Sequence, residues 1–443
     1  MSHYKAYPAY KDSGVEWIGE VPEGWEIKPI CRVASCNDDA LSENTPADAV
    51  LRYVDISAVN HTDGITQATE VRFVDAPSRA RRQAKSGDVV VSTVRTYLKA
   101  VAAVTEDYAA CIYSTGFAVL RARSAQVDPG FLKWMALNDL LIQTIEAHSE
   151  GLSYPAINAT ELVKLKTVVP PLTEQSTIAA FLDRETTRID ALIAKKTRFI
   201  ELLKEKRQAL ITRAVTKGLD PKVKMKNSGV EWIREVPEHW NIPALKRLVA
   251  TPITDGPHET PVKQDEGVRF ISAEAISSGR IDFSKTWGFI SKEDDERFSR
   301  KYKPQKNDLY MIKSGATTGV VTIVEDDVDF NIWSPLAAIR PSRETSPRFL
   351  LYALRSSEFQ AGVALNWSYG TQQNIGMRVL EALPVPIPSL NEQHTISDYL
   401  DRATDRIDSL IQKTERSITL LRERRSAFIT AAVTGQIDLR EAA

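Results

Sequence analysis

The chain contains an internal repeat that frames two unlike middles. Lys11–Ile27 reads KDSGVEWIGEVPEGWEI and Lys226–Ile242 reads KNSGVEWIREVPEHWNI, with 13 of 17 positions identical at an offset of 215. Leu172–Thr216 and Leu390–Thr434 agree at 27 of 45 positions at an offset of 218. The roughly 140 residues between these blocks agree poorly from one half to the other. Such a pattern encodes one scaffold used twice around two different inserts. The expected boundaries are an entry segment over 1–27, a first domain over 28–171 and a helix over 172–218. A linker with the second entry segment then covers 219–242, a second domain 243–389 and a second helix 390–436.

A length of 443 residues fits two or three domains. The hydrophobic fraction of 43% with 22 Pro and 20 Gly is that of an ordinary globular chain, not a disordered one. No apolar run reaches 18 residues, so no membrane span is expected. The start, MSHYKAYPAYKDSG, lacks the apolar core of a signal peptide. Cys31, Cys36 and Cys111 show neither CxxC nor nearby His spacing and read as free thiols of a reducing cytoplasm.

A net charge of −1 argues against a general polyanion binder, but the positive charge is clustered. Ser78–Lys85 reads SRARRQAK and Arg297–Lys306 reads RFSRKYKPQK. Each run precedes one of a matched pair of strand-like segments, Asp88–Ser92 (DVVVS) and Asp308–Ile312 (DLYMI). A third run, Lys195–Lys217, sets eight basic residues against Glu201 and Glu205. Runs placed in step with a repeat suit phosphate binding better than scattered surface charge does. On these grounds Arg79, Arg81, Arg82, Lys85, Lys301, Lys303 and Lys306 are candidate DNA contacts.

Both middles carry the same order of parts. Helices are expected from Asp128-Pro129 and Ser346-Pro347, each an N-cap residue followed by proline at the first helical position. Proline-bounded segments, Val168–Leu172 (VVPPL) and Val385–Leu390 (VPIPSL), close each middle. Each middle therefore reads as one α+β domain. A long helix follows each, uninterrupted by Pro or Gly over Glu174–Thr216 and Glu392–Thr434. Thr173 and Asn391 are the expected N-caps, and Gly218 and Gly435 the stops.

Apolar residues recur every seven positions along both helices. The first carries Leu182, Ile189, Ile193, Ile200, Leu203 and Leu210. The second carries Leu400, Ile407, Ile411, Ile418, Leu421 and Phe428. Such rows form the seam of a coiled coil. Polar pairs interrupt both rows at matched sites, Thr186/Thr404, Lys196/Thr414 and Arg207/Arg425, which fixes register at a cost in stability. Leu192, Phe199 and Leu202 widen the apolar face beyond one partner's reach and point to a further protein partner. Antiparallel pairing would relate the halves by a pseudo-twofold axis, which suits the display of two DNA half-sites. A scaffold with no DNA role is the rival reading, and it leaves two diverged, similarly framed domains unexplained.

The chain resembles the specificity subunits of Type I restriction–modification enzymes over essentially its full length. The resemblance rests on SGVEWIGEVPEGW and its copy, on DGPHETP at Asp255–Pro261, and on the helix openings PPLTEQ…LDRET and PSLNEQ…LDRAT. The first domain departs from the pattern, with no DGPHETP counterpart beyond Thr45-Pro46. The resemblance implies two α+β target recognition domains in tandem, each followed by a long helix, with the helices paired as an antiparallel coiled coil. It implies a non-catalytic subunit that reads an asymmetric, bipartite site on double-stranded DNA. It also implies a prokaryotic cytoplasm, two methyltransferase subunits and two ATP-driven restriction subunits. S-adenosylmethionine, ATP and Mg would serve those partners, with no cofactor on this chain. Catalytic motifs are missing accordingly: Pro170-Pro171 is followed by Leu172, and Gly315–Thr322 lacks the lysine of a phosphate loop.

Two loops per domain are the candidate base readers. The first loop is Thr93–Lys99 (TVRTYLK) in one domain and Lys313–Gly319 (KSGATTG) in the other. It supplies Arg95, Thr96, Tyr97 and Lys99, and Lys313, Ser314, Thr317 and Thr318. The second is Ser149–Asn158 (SEGLSYPAIN) and Ser368–Asn374 (SYGTQQN), with Tyr154 and Asn158, and Tyr369, Thr371, Gln372, Gln373 and Asn374. Arginine and lysine suit guanine edges or phosphates, and side-chain amides suit adenine. His258 of DGPHETP joins this set. Trp17, Trp25, Trp232 and Trp240 read as packing residues.

Overall fold

The structure is a computed structural model that describes residues 4–369 and 373–441. Contacts divide the chain into two compact units, Met1–Thr197 with Arg416–Ala443, and Arg198–Glu415. Both cuts fall inside the long helices, not at the domain ends that the repeat suggests. Each unit therefore owns the start of one long helix and the end of the other.

The first unit is built on two four-stranded sheets. Val101–Ala103, Val89–Ser92, Phe117–Ala122 and Ala34–Cys36 lie side by side in that order, all antiparallel. Every residue of Val89–Ser92 is buried, as a continuous valine run predicts for a strand covered on both faces. The second sheet runs Thr69–Arg72, Val50–Val54, Ile112–Ser114, Ala80–Gln83, with one parallel pair. The second unit repeats this plan. Its first sheet runs Val321–Ile323, Leu309–Ile312, Leu336–Ile339, Thr254–Asp255, and its second runs Gly288–Ile290, Val268–Ile271, Phe330–Ile332. The plans part at the basic runs. SRARRQAK contributes the edge strand Ala80–Gln83, whereas RFSRKYKPQK begins in a helix, Lys292–Ser299.

One buried ion pair recurs in each unit. Arg121 Nη2 lies 2.7 Å from Asp88, whose side chain is 4% exposed, and Arg340 Nη2 lies 2.7 Å from Asp308, at 2%. Both aspartates also accept a backbone N–H three residues upstream, from Lys85 and Gln305. The pair thus ties the turn before the central strand to the neighbouring strand. A buried carboxylate is tolerated here because every approach to it is hydrogen-bonded.

The expected N-caps at Asp128 and Ser346 accept from the N–H of Phe131 and Phe349. The long helices run Leu172–Lys217 and Leu390–Val433, beginning ahead of the sequence expectation. Thr173 and Asn391 lie inside the first turn and are not the caps. Instead the Pro171 carbonyl accepts from the N–H of Glu174 and Gln175, and the Ser389 hydroxyl accepts from the N–H of Glu392. Proline lacks only an N–H that a helix start leaves unpaired, so Pro171 can sit directly before the helix.

Two side chains at each helix start do the joining. Glu174 accepts from Trp25 Nε1 at 3.2 Å and from the Tyr7 hydroxyl. Glu392 accepts from Trp240 Nε1 at 3.1 Å. Burial and the Glu174 charge push the Tyr7 hydroxyl well above its ordinary pKa, so it stays a donor. One residue on, Gln175 and Gln393 are buried. Gln175 accepts from the Asp128 N–H and donates to the Pro170 and Gln126 carbonyls. Gln393 does the same with Ser346, Pro388 and Glu344.

The two helices pair antiparallel inside each unit. In the first, Phe181 packs edge-on to Phe428, and Asp190 lies 3.0 Å from Arg425. In the second, Arg207 lies 3.1 Å from Asp408, and Gly218 approaches Glu392. Of the seam residues, Leu182, Ile189, Ile200, Leu203, Leu400, Ile407, Ile418 and Phe428 are buried. Ile193, Leu210, Ile411 and Leu421 are half-buried. Leu192, Phe199 and Leu202 are 42%, 44% and 46% exposed, so they lie off the seam. Among the described residues no helix is long and apolar enough to cross a membrane.

Phe428, Ile429, Val433, Ile437 and Leu439 complete the core of the first unit although they are the last part of the chain. Phe428→Ala should therefore destabilise that unit by about 3–5 kcal/mol. Hydrogen exchange should rise around Phe131–Met135 and stay unchanged around Phe349–Leu354. Equal loosening of both segments would contradict the partition.

Candidate nucleic-acid interface

In the first unit the two candidate loops meet. Ile157 N–H donates to the Thr93 carbonyl at 2.8 Å, Val94 pairs with Ala156, and Thr96 N–H points at the Pro155 carbonyl. The Thr96 side chain is buried and donates to Ser149 Oγ at 2.8 Å, so it serves as a joint between the loops. Arg95 and Lys99 adopt left-handed backbone with φ of 51° at each. That conformation costs a residue with a Cβ roughly 1–2 kcal/mol and is concentrated at functional sites. The result is an exposed cluster: Tyr97 is 46% and Tyr154 66% exposed, and the Arg95 guanidinium stands 5.1 Å from the Tyr154 ring centre. Lys99 is half-buried and Asn158 exposed.

The second unit makes the same joint with other residues. Ile375 N–H donates to the Lys313 carbonyl at 2.9 Å, Ser314 pairs with Asn374, and Gly315 N–H donates to the Gln373 carbonyl. Gly315 and Gly319 take the left-handed positions that Arg95 and Lys99 occupy in the first unit. Thr317, Gln373 and Asn374 are exposed, whereas Thr318 turns back to the Gly315 carbonyl at 2.7 Å. Thr371 and Gln372 lie outside the described residues. For Tyr369 the backbone is described, pairing with Gln373, and the side chain is not.

DGPHETP adds a third segment to this surface. Its Asp255 carboxylate is 10% exposed and gathers two lysines and a histidine. Lys301 Nζ lies at 2.6 Å, Lys313 Nζ at 3.0 Å and His258 Nε2 at 3.1 Å. Gly256 lies so close to the end of Phe330–Ile332, a strand of the other sheet, that a Cβ there would stand 2.0 Å from the Ile332 carbonyl oxygen, so only glycine fits. Asp255 was absent from the sequence-based candidates; the fixed glycine beside it is the signal that marks its position. Lys313, at 13% exposure, is held against Asp255, while Lys301 at 52% and His258 at 72% face outward.

Most cations of the basic runs are also engaged within the fold. Arg79 pairs with Asp55 at 2.7 Å and Lys85 with Asp39 at 3.4 Å. Arg81 lies over the Phe73 ring, and Arg82 has a buried Nε without a partner. Lys303 pairs with Asp295 and Asp329. Lys306 is exposed. The runs therefore shape the loops as well as charging them, and the outward positive charge is smaller than a count of residues suggests.

Burial alone would push the Asp255 carboxyl up, but the hydrogen bonds from Lys301 and Lys313 outweigh it and hold the group below the ordinary range. A folded pKa below the unfolded value of about 3.9 means stability that is present above it and lost as pH falls through the folded value. At pH 7, Asp255→Asn should destabilise the second unit by on the order of 1–3 kcal/mol. The difference between the two proteins in urea unfolding should shrink below about pH 4. A difference independent of pH would show that the clamp is not ionic.

Comparisons with known proteins agree with this architecture. Residues 251–420 match the family model of the Type I restriction modification DNA specificity domain. The EcoBI specificity subunit of Escherichia coli is 25% identical over 307 residues, covering 67% of this chain and 63% of that subunit. The chain thus spans under two thirds of that relative. The putative MjaX specificity subunit of Methanocaldococcus jannaschii is 23% identical over 438 residues, 96% of each chain. A solved chain from a study of complex assembly and conformational transition of the type I R-M system has the same fold. It superposes with a TM-score of 0.72 at 24% identity, over 93% of this chain and 98% of that one. Residues 251–420 thus carry the family's DNA specificity domain, and the chain as a whole is similar to type I restriction–modification specificity subunits.

Proposed function

We propose that the chain is the DNA sequence-specificity subunit of a type I restriction–modification complex, without catalysis of its own. Each globular domain reads one half of an asymmetric bipartite site on double-stranded DNA, and the paired helices set the gap. Two methyltransferase subunits modify adenine with S-adenosylmethionine. Two restriction subunits cleave with ATP and Mg, all in a prokaryotic cytoplasm. One observation carries this reading: the same two-loop joint is built in both units, by Thr93 with Ile157 and by Lys313 with Ile375, while the exposed side chains on it differ. A constant joint with variable faces is what two readers of two sequences require. A plain scaffold would have no use for Arg95 and Lys99 in strained backbone at an exposed tip.

The test is a map of methylated adenines in cells carrying the chain with its methyltransferase partner. A bipartite motif with a fixed gap is expected, and a continuous or unchanged methylation pattern would refute the reading. Exchange of residues 28–168 for those of a related chain should alter one half of the motif and leave the other intact. Gln373→Ala should relax one base position, whereas Lys306→Ala should weaken all sequences alike and lower the salt slope by about one. A four-residue insertion at Lys204 lengthens the helix by about 6 Å. It should widen the gap by about one or two base pairs, given the rise of roughly 3.4 Å per pair. An active insertion mutant with the original gap would show that the helix is not the ruler.

A further inference from the structure

The loop tip of the first unit carries a guanidinium that the fold does not use. Arg95 is exposed, and among the described residues its side chain makes no ion pair and no hydrogen bond. Its contact is the Tyr154 ring, with the guanidinium carbon 5.1 Å from the ring centre. That contact leaves its five N–H donors uncommitted. The cations of the basic run differ: Arg79 and Lys85 pair with Asp55 and Asp39, and Arg81 donates to the Ala80 carbonyl.

The chain holds this group in place at a cost in stability. Arg95 takes left-handed backbone, with φ of 51°, where the second unit has Gly315. The residues on either side are fastened, Val94 by its pairing with Ala156 and Thr96 by its hydrogen bond to Ser149 Oγ. A donor set on a fixed base suits one acceptor geometry better than diffuse attraction.

The surroundings favour a base edge over a phosphate. Tyr97, Leu98, Leu152 and Tyr154 are exposed on these two loops, and so is Glu150. Phosphates are contacted by cationic and polar groups, and a carboxylate repels them. In the major groove an apolar side chain matches the thymine methyl, and a carboxylate can accept from the cytosine amino group. The acceptor pair that fits an arginine fork there is guanine O6 and N7. The second unit lacks this equipment. Its Lys313 is held against Asp255, and its described tip residues, 314–319 with Gln373 and Asn374, include no arginine or lysine.

Resting on the reading of the chain as a specificity subunit, we propose that Arg95 is a specificity-determining residue that reads a guanine in the major groove of the first unit's half-site, with Tyr154 as its positioning residue. The other half-site is read without such a contact.

The first measurement is a map of methylated adenines for wild type and Arg95→Gly, each with the methyltransferase partner. Arg95→Gly installs the residue of the second unit in backbone that glycine adopts freely, so the melting temperature should not fall. One G·C pair of the first unit's half-site should relax to other pairs, with the other half and the gap unchanged. A wild-type map without a bipartite motif would defeat the reading of the chain itself. A bipartite motif that Arg95→Gly leaves unaltered overturns this proposal alone. So does a uniform loss across sequences with a salt slope lower by about one, which would make Arg95 a phosphate contact. Tyr154→Ala should blunt the discrimination at that pair and Tyr154→Phe should restore it; full discrimination in Tyr154→Ala overturns the part given to Tyr154. The second measurement needs no variant and decides if Arg95→Gly abolishes methylation. The wild-type complex with its methyltransferase partner is titrated with duplexes in which each guanine of that half-site is replaced in turn by 7-deazaguanine, which lacks the N7 acceptor. One replacement should weaken binding at least several-fold, and equal affinity for all of them overturns the proposal.

Discussion

A tryptophan indole pinned to a glutamate in the first turn of a long helix is the contact on which each unit depends. Trp25 reaches Glu174 and Trp240 reaches Glu392, with the next residue, Gln175 or Gln393, bonded to backbone on both sides. Trp25, Trp240, Glu174, Gln175 and Gln393 are buried and Glu392 is half-buried, so a lost partner would leave a desolvated donor or acceptor without compensation. That asymmetry makes the joint rigid. It fixes where the helix leaves the domain, and hence where the end of the other helix must arrive. Gly435 closes the second helix against Pro22 and Trp25, and Gly218 closes the first against Trp240 and Pro237. The repeated blocks of sequence are the parts of this joint, which explains why they resemble each other while the inserts do not.

The frame was legible in the sequence because its physics is local or periodic. The heptad rows, the Asp128-Pro129 and Ser346-Pro347 helix starts and the valine strand Val89–Ser92 stand where spacing and capping place them. The helix starts were misplaced by a short step because Thr173 and Asn391 have the chemistry of caps, whereas the Pro171 carbonyl and the Ser389 hydroxyl accept the first N–H groups. The division into units was not legible. It depends on Phe428 meeting Phe181 across most of the chain length, a contact that no local signal encodes.

The candidate site was legible as loops and not as an arrangement. Sequence could nominate Lys301, Lys313 and His258 separately, but their convergence on Asp255 joins residues from three separate segments. It also changes their meaning. A lysine held by a buried carboxylate is oriented, and its net charge is shared. Much of the apparent basicity of SRARRQAK and RFSRKYKPQK is likewise absorbed by Asp55, Asp39, Asp295 and Asp329. A surface of this kind suits discrimination better than bulk attraction, because oriented donors reject a mismatched acceptor while unpaired charge attracts every phosphate equally.

The same backbone joint is met by opposite solutions at the loop tip. The second unit puts Gly315 and Gly319 where the chain must turn left-handed, and so leaves the tip small and unstrained. The first puts Arg95 and Lys99 there and accepts the strain, and Arg95 gains the face of Tyr154 in return. Guanidinium–ring contacts at exposed sites are worth about 0.5–1 kcal/mol, less than the strain of roughly 1–2 kcal/mol that left-handed backbone imposes. Folding alone would therefore favour glycine at both tips. Side chains kept at a net cost in stability are kept for what they touch, and in the first unit the loop presents them outward beside Tyr97, at the one place where the two candidate loops are joined.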